Sequence, residues 1–329
     1  MPASTANLGA VQHATPPRRA FCCASLATAL CCLPALRGHA TLLQTNPLAT
    51  TEVAPGIHVS HGVPAEATAD NLGAIANIAF VVGGNAVAVL DSGGCALWGQ
   101  RLREAIRAVT PLPIRYLVNS HVHPDHIFGN AAFLDDAPEI IGHGKLPAAL
   151  AARGQYYLDR LQQELGDMVD GTQIVMPTTT VADRLEIDLG GRLLRLRAHV
   201  TAHTDNDLSV LDVATGTFLP ADLLFMGRTP ALDGSLKGWL DVIAELRGIP
   251  AARVVPGHGP VVAEWPAALD AEERYLRTLL DDVRGILRTH GTMEQAVDAA
   301  GGSERGKWQL FDDYNPRNVV AAFAELEWE

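Results

Sequence analysis

The chain has 329 residues, of which 48% are hydrophobic and 19% charged, and its formal net charge is −12 at pH 7. This composition excludes an intrinsically disordered chain, because it supplies enough apolar surface for a core. The sequence contains no stripe of clustered Lys and Arg, which a general nucleic-acid-binding protein needs for its phosphate contacts. We therefore expect no nucleic-acid partner, and we interpret the acidic excess as an aid to solubility.

The first forty residues have the order of an export signal. Arg18 and Arg19 precede an apolar stretch at 20–36, and small residues follow around Ala40. A positive start, an apolar middle and small residues at the end are typical of a secretory signal peptide. The stretch is shorter than the ~20 apolar residues that a membrane-spanning helix needs. We predict a signal peptide at 1–40, a periplasmic protein, and no membrane attachment after cleavage; an uncleaved anchor or a wrongly assigned start codon is the alternative.

The arginine pair also resembles part of a twin-arginine signal, since Phe21 follows Arg18-Arg19-Ala20. Cysteine usage agrees with a separate leader, because four of the five cysteines lie in it. These four are Cys22, Cys23, Cys31 and Cys32. Cys95 is the one thiol left in the mature chain, which therefore forms no internal disulfide.

From residue 51 onward, short strands and helices alternate. Residues 78–82 and 86–90 flank Gly83-Gly84-Asn85, a pattern that predicts a β-hairpin. Apolar residues at helical spacing then predict a helix at 96–109. The further predicted strands are 114–118, 139–142, 185–189, 193–196, 208–211, 217–221 and 253–255, and the further predicted helices are 148–167, 239–246, 266–287 and much of the tail from 293. Such an order favours two mixed sheets packed face to face with helices outside. We predict one domain at 41–329, with a C-terminal helical extension from about 266.

The segment Asn119-Ser120-His121-Val122-His123-Pro124-Asp125-His126 carries the strongest chemical pattern in the chain. Three histidines and an aspartate fall within six residues directly after a predicted buried strand. Imidazole nitrogens and carboxylate oxygens are ligands that Zn²⁺ takes in proteins. Two histidines separated by one residue can face one ion, and the two ligands after Pro124 can face a neighbouring position. The segment therefore predicts part of a metal site.

Further metal ligands must come from other parts of the chain. His203 follows the strand at 193–196, and His258 follows the strand at 253–255, where Gly257 and Gly259 allow close backbone approach. Asp222 follows residues 218–221, which we interpret as the end of another strand. Side chains beyond strand ends are where α/β folds gather their sites.

Together these residues resemble the metallo-β-lactamase superfamily, whose His-x-His-x-Asp-His motif is specific. The resemblance spans most of residues 51–329 and implies the αββα sandwich fold of that superfamily. It implies that His121, His123 and His203 bind a first metal ion, that Asp125, His126 and His258 bind a second, and that Asp222 bridges them. The ligand set is similar to that of glyoxalase II, lactonases and transfer-RNA-processing nucleases. Ala221 departs from the family, which usually has glycine before the bridging aspartate; a negative φ at Ala221 would accommodate the methyl group.

Several other segments resemble a narrower group, the exported quinoprotein relay system zinc metallohydrolases, which are related to a sulfur-oxidation-associated hydrolase. These segments are Tyr157, residues 201–207 (Thr-Ala-His-Thr-Asp-Asn-Asp), residues 233–236 (Asp-Gly-Ser-Leu) and residues 311–315 (Phe-Asp-Asp-Tyr-Asn). The resemblance implies a link to pyrroloquinoline-quinone dehydrogenase systems of the periplasm. It does not indicate a substrate.

The remaining histidines are not predicted to bind metal. His143 follows a strand and is interpreted as structural or pocket-lining, and His199 as packing or solvent-facing. The histidines at 58, 61 and 290 have no partner in the sequence. Asp207 and Asn119 either orient the ligand imidazoles or cap turns.

The predicted function is that of an exported hydrolase with two Zn²⁺ ions per chain. Two ions about 3.5–4 Å apart lower the pKa of a water molecule between them, and the resulting hydroxide attacks a carbonyl. We predict a small-molecule ester, thioester or lactone as substrate, with Asp125 binding metal and orienting the nucleophile. Two alternatives stay open: a mono-iron persulfide dioxygenase-like enzyme, and a non-catalytic accessory protein of a periplasmic dehydrogenase. A flavodiiron enzyme is disfavoured, because His123 stands where that group normally has glutamate.

Overall fold

Two mixed β-sheets form the centre of the computed structural model, which describes residues 48–329. The predicted leader at 1–40 and its four cysteines lie outside the described residues. The seven-stranded sheet runs in chain order, with β1 to β4 antiparallel and β4 to β7 parallel. Its strands are β1 (Thr51–Ala54), β2 (Ile57–Ser60), β3 (Ile78–Val82), β4 (Val87–Leu90), β5 (Ile114–Val118), β6 (Glu139–His143) and β7 (Thr179–Val181).

The second sheet has five strands in the order β12-β11-β10-β9-β8. Its strands are β8 (Arg184–Asp188), β9 (Leu193–Ala198), β10 (Leu208–Asp212), β11 (Thr217–Phe225) and β12 (Arg253–His258). Only β11 and β12 are parallel, and the other neighbours are antiparallel. The predicted fold class, a mixed α/β sandwich with outer helices, is therefore confirmed.

Seven α-helices cover the sheets in residues 48–329. They are α1 (Ala96–Val109), α2 (Pro124–Ile127), α3 (Leu146–Leu165), α4 (Leu236–Leu246), α5 (Asp270–Arg288), α6 (Met293–Ala299) and α7 (Phe311–Leu326). None of these helices is both long and apolar enough to cross a membrane. A 3-10 turn at Ala267–Leu269 precedes α5, so the helix predicted from 266 begins four residues later as an α-helix.

Three apolar clusters hold these layers together. One lies between the two sheets and includes Val59, Val81 and Leu196. A second packs α1 and α3 on the outer face of the seven-stranded sheet, and a third packs α4, α5 and α7 against the five-stranded sheet. Both sheet faces are thus buried, which explains why several strands read as continuous apolar runs.

Strand β11 differs from the sequence prediction in length. It continues to Phe225, so Asp222 lies inside the strand and not beyond its end. The pairing with β12 shifts register on both sides of Ala221, where φ is +49°. The condition under which the methyl group of Ala221 would be accommodated, a negative φ, is therefore not met. The left-handed conformation is uncommon for a residue with a β-carbon, and here it turns the following side chain, Asp222, toward the site.

Gly257 has to be glycine for a steric reason. A β-carbon at this position would lie 2.1 Å from Asp222 Oδ1 and 2.6 Å from the carbonyl carbon of Ala221. The close approach predicted from the glycines beside His258 is thus present, and it occurs against the bulged part of β11.

Glu272 of α5 is completely buried and supports the same strand. Its Oε1 accepts a hydrogen bond of 2.9 Å from the backbone N–H of Phe225, whereas Oε2 has no hydrogen-bond partner within residues 48–329. Burial raises the pKa of Glu272 well above its ordinary value, and the N–H of Phe225 opposes this shift only in part.

This environment predicts a pH-dependent effect of Glu272→Gln. A carboxyl whose pKa is raised by folding destabilises the fold increasingly as the pH rises from the unfolded pKa toward the folded pKa. The free energy of unfolding of Glu272→Gln minus that of wild type should therefore be larger at pH 8 than at pH 5. Denaturant unfolding of both metal-loaded proteins at the two pH values measures this change. An identical difference at pH 5 and pH 8 would show that Glu272 does not titrate in this way.

Candidate metal centre

The predicted ligands meet at one edge of the sandwich, where strands of both sheets end. The loop after β5 carries the histidine-rich motif, and the loop between β9 and β10 carries His203. Asp222 comes from β11, and His258 is the last residue of β12. The structure therefore brings together side chains that are up to 137 residues apart in the chain.

Four side chains form the first group. They are His121, His123, His203 and Asp222, and each offers one ligand atom within 4.8 Å of the others. Nε2 of His203 lies 3.3 Å from Nε2 of His121 and 3.0 Å from Nδ1 of His123. Asp222 Oδ2 lies 3.5 Å from His203 Nε2 and 3.7 Å from His121 Nε2.

The second group consists of Asp125, His126 and His258, whose ligand atoms also lie within 4.8 Å of one another. Asp125 Oδ2 is 3.3 Å from His258 Nε2 and 3.6 Å from His126 Nε2. Asp222 reaches this group as well, because its Oδ2 is 3.3 Å from His258 Nε2. Asp222 therefore stands between the two groups, where the resemblance places a bridging ligand.

In each of the five histidines, the ring nitrogen that faces away from the centre has a hydrogen-bond acceptor. Nδ1 of His203 donates to the carbonyl of Ala231 at 2.6 Å, and Nδ1 of His258 to the carbonyl of Ile75 at 2.8 Å. The inward nitrogen of a neutral imidazole held in this way is an unprotonated lone-pair donor.

Asp91 organises the histidines of the motif from outside. Its Oδ2 accepts from Nδ1 of His126 at 2.8 Å and from the hydroxyl of Ser120 at 2.7 Å. Oδ1 accepts from the N–H of Ser120 at 2.7 Å, and the Ser120 hydroxyl in turn accepts from Nδ1 of His121 at 2.9 Å. One buried carboxylate therefore orients a ligand of each group.

His123 is held by a separate carboxylate. Its Nε2 donates to Oδ2 of Asp233 at 2.9 Å, and Arg153 contacts the same oxygen at 2.6 Å. Although burial opposes the shift, the hydrogen bond from His123 and the guanidinium of Arg153 lower the pKa of Asp233 to about 2. No local pattern in the sequence identifies Asp91 or Asp233 as partners of the ligands; the one cue is that each precedes a glycine-containing turn, Ser92-Gly93 and Gly234-Ser235.

Charge differs between the two groups. Burial, together with the neighbouring His123, lowers the pKa of His203 to about 3, and burial lowers the pKa of His121, so both are neutral. In His126 and His258 burial also favours the neutral form, but the nearby carboxylates of Asp222 and Asp125 together outweigh it and raise the pKa. A divalent cation would displace these protons on binding.

The donor set fits a zinc-type metal site. His126 Nε2 and Asp222 Oδ1 are buried and lie 3.1 Å apart, yet neither has a hydrogen-bond partner in residues 48–329. Buried polar atoms without partners are rare and call for an explanation. Five inward imidazole nitrogens and two carboxylates supply enough ligands for two borderline metal ions.

Other predicted residues lie outside this centre. Asp207 accepts from the N–H and the hydroxyl of Thr204 at 2.9 and 2.6 Å, and Asn119 pairs with Asn130. Asp207 thus caps its own loop, as the capping alternative predicts, whereas Asn119 binds another side chain; within residues 48–329 neither is hydrogen-bonded to a ligand imidazole. His143 and His199 are buried, but neither belongs to a ligand group.

A cavity of about 460 Å³ opens onto the centre, with Asp125, Asp222 and His258 in its wall. Helix α3 supplies Arg153 and Tyr157. Residues of the segments 146–180 and 224–237 both contribute to the wall. Helix α7 contributes as well, which no pattern in the sequence indicates; its cavity residues are Tyr314, Arg317 and Asn318.

Solved structures with a similar fold include several metallo-β-lactamases. One from Pontibacter korlensis is 18% identical, with a TM-score of 0.56 over 70% of this chain and 99% of that chain. The mono-zinc form of the metallo-β-lactamase FIM-1 from Pseudomonas aeruginosa is 17% identical, with a TM-score of 0.55 over 70% and 95%. The sec-alkylsulfatase Pisa1 from Pseudomonas sp. is 15% identical, with a TM-score of 0.63 over 85% of this chain and 50% of that chain. At these identities the likeness concerns the fold alone.

No curated protein matches the sequence. A family model does: the model described as "Metallo-beta-lactamase superfamily" matches residues 73–258, which include all seven residues of the two ligand groups. This match covers more than half of the chain and both of the strands that carry Asp222 and His258. The chain belongs to the metallo-β-lactamase superfamily.

Proposed function

We propose that this protein is an exported metallohydrolase that holds two zinc-type ions and cleaves a small carbonyl ester, thioester or lactone. His121, His123 and His203 hold the first ion, and Asp125, His126 and His258 hold the second. Asp222 bridges them. The observation that carries the proposal is the position of Asp222, whose Oδ2 lies 3.5 Å from His203 Nε2 and 3.3 Å from His258 Nε2.

Bound zinc-type ions would supply Lewis acidity and lower the pKa of a water molecule toward neutrality. The residues of the chain would hold the ions and orient the water. Asp125 lines the cavity and is ionised, because His126 and the hydrogen-bonded His258 lower its pKa against the effect of burial. Its carboxylate can therefore accept a hydrogen bond from the attacking water and orient that water toward the substrate carbonyl.

An acyl substrate is favoured over a β-lactam by the bridging residue. Asp222 occupies the position where many β-lactamases have cysteine, and a carboxylate between the two groups is the arrangement of the esterase-like branches. The cavity of about 460 Å³ is within the usual range for small-molecule sites.

Export to the periplasm and a link to quinoprotein dehydrogenases belong to the proposal. The support for export is the order of charge and hydropathy at 1–40. The support for the link is the likeness of residues 201–207, 233–236 and 311–315 to the quinoprotein relay group. In the structure, two of these segments lie beside the centre, since His203 is a ligand-group residue and Asp233 contacts His123.

The metal content should fall in stages when single ligands are removed. Wild type should hold close to two zinc-type ions per chain. His203→Ala should empty mainly the first position and His258→Ala mainly the second, whereas Asp222→Asn should weaken both because it removes the shared negative charge. Metal analysis by mass spectrometry after dialysis measures the stoichiometry.

His199→Ala is a matched control, because His199 is buried but belongs to neither ligand group. It should retain the wild-type metal content. One iron per chain in wild type, with no change in His258→Ala, would overturn the dinuclear assignment and favour the mono-iron dioxygenase-like alternative.

Hydrolysis should depend on Asp125 and on pH. The turnover of ester, thioester or lactone substrates should rise through pH ~7, where metal-associated water ionises. Asp125→Asn should lower kcat by at least ~10², since it removes both a ligand and the carboxylate that orients the water. Asp205→Asn, which changes an exposed aspartate in the β9–β10 loop, is the control. Fully metallated protein that hydrolyses no ester, thioester, lactone or phosphodiester would instead support the accessory-protein alternative.

A further inference from the structure

Arg228 is a buried cation in the wall of the cavity. The residue is only 4% exposed, and it follows β11 at the point where the chain leaves the ligand-bearing strand. Its guanidinium lies beside His258, with Nη1 3.4 Å from Nδ1 of that ring. Because Nδ1 of His258 donates to Ile75, it does not also accept from Arg228. Arg228 is therefore next to the second ligand group without being bound to it.

The positive charge of Arg228 has no carboxylate within hydrogen-bonding distance in the described residues. Within residues 48–329, the carboxylate that approaches it is Glu66, at 3.9 Å and half exposed, and Nε of Arg228 has no hydrogen-bond partner. Nη2 donates to the hydroxyl of Tyr314 at 2.5 Å. Burial raises the pKa of Tyr314 to about 12, with Arg228 opposing and Glu66 adding to the shift, so the phenol is neutral. A buried charge without a close counter-charge is costly unless a ligand supplies one.

Helix α7 adds a second cation at the same place. Arg317 also lines the cavity, and the guanidinium carbons of Arg228 and Arg317 lie 4.9 and 5.3 Å from the centre of the Tyr314 ring. The other two arginines of the cavity wall are already paired, Arg153 with Asp233 and Arg160 with Glu164. Arg228 and Arg317 then face only Glu66, so that, apart from the metal ligands, the wall carries a net charge of +1 in a chain whose net charge is −12.

The backbone around Arg228 is fixed against α7. The N–H of Thr229 donates to the carbonyl of Gln309 at 3.0 Å, and the N–H of Gln309 donates to Gly227 at 2.7 Å. Asn318 of α7 accepts from the N–H of Leu232 at 2.9 Å and donates to the carbonyl of Pro230 at 2.7 Å. These hydrogen bonds fix the relative position of the two segments that carry Arg228 and Arg317.

We propose that Arg228, Arg317 and Tyr314 form an anion-binding subsite, and that the substrate carries a carboxylate which this subsite binds while its acyl carbon lies at the metal centre. The inference rests on the proposed function and names its substrate class. A singly charged carboxylate matches this net charge of +1, and its two oxygens fit a planar guanidinium. The half-exposed carboxylate of Glu66, 3.9 Å from Arg228, disfavours a more highly charged group.

Two esters that differ only in this charge test the subsite: mono-4-nitrophenyl glutarate, and the same compound with its distal carboxylate methylated. For metal-loaded wild type, kcat/KM should be about 10- to 100-fold higher for the carboxylate, as expected for a charge-assisted hydrogen bond. Arg228→Gln and Arg317→Gln should each lower this ratio at least fivefold, mainly through KM. Arg277→Gln, on the exposed face of α5, should keep the ratio.

Arg317 is exposed, so Arg317→Gln and Tyr314→Phe keep the test valid if Arg228→Gln does not fold. An unchanged ratio in both remaining variants would overturn the subsite. Equal efficiency for the two esters in wild type would also overturn it, while the hydrolase function would stand.

Glutarate binding, measured by calorimetry on metal-loaded protein, separates the subsite from turnover. Weaker binding by at least fivefold in Arg317→Gln supports the subsite even if no ester is hydrolysed. Equal binding of glutarate by wild type and Arg317→Gln would overturn the subsite. Inorganic phosphate or sulfate that binds more tightly than glutarate, and that loses affinity in Arg317→Gln, would overturn it as well. The subsite would then prefer an oxyanion other than a carboxylate.

Discussion

The carboxylate of Asp222 is the group on which the geometry of the centre depends. It is buried, and its two oxygens face histidines of both ligand groups. Its position is set by the bulge in β11 at Ala221 and by the absence of a side chain at Gly257, which leaves the carboxylate its space. On the other side, Phe225 stacks on His258 with ring centres 4.8 Å apart, and Glu272 holds the backbone of Phe225. A strained conformation next to a functional carboxylate is a common association, because the rest of the fold can hold a residue where local preference would not.

The histidines face inward because their outer nitrogens are already engaged. Asp91, Ser120, Asp233 and two backbone carbonyls accept these hydrogen bonds. Such partners fix both the tautomer and the direction of the ring before any ion arrives. The same loop that carries Asp233 also carries Arg228, so the contacts between residues 227–232 and α7 connect the metal centre to the wall of the substrate cavity.

Local patterns in the sequence are enough to predict the two-sheet sandwich and the part of the metal centre that the histidine-rich motif supplies. The hairpin at Gly83-Gly84-Asn85 and the helix at 96–109 follow from turn residues and apolar spacing, and β5 and the histidine-rich loop are adjacent in the chain. The superfamily itself was also identified correctly from the motif. The left-handed Ala221 was not foreseen, because it arises from the register shift between β11 and β12, which no local pattern records.

Partners that are distant in the chain were missed for the same reason. Asp91 and His126 are 35 residues apart and meet because β4 and β5 pair in one sheet. His123 and Asp233 are 110 residues apart and meet because they follow strands of different sheets. Arg228 and Tyr314 are 86 residues apart, and their contact depends on how α7 lies across the end of β11. By contrast, Asp207 was considered as an orienting group because it is near His203 in sequence, and it instead binds the backbone of its own loop.

The central claim is that seven side chains hold two metal ions on either side of Asp222. Anomalous diffraction from a crystal of zinc-loaded protein, collected above and below the zinc absorption edge, tests this claim directly. The account predicts two anomalous peaks about 3.5–4 Å apart, one among His121, His123 and His203 and the other among Asp125, His126 and His258. A single peak at one group, or peaks that do not contact Asp222, would contradict it.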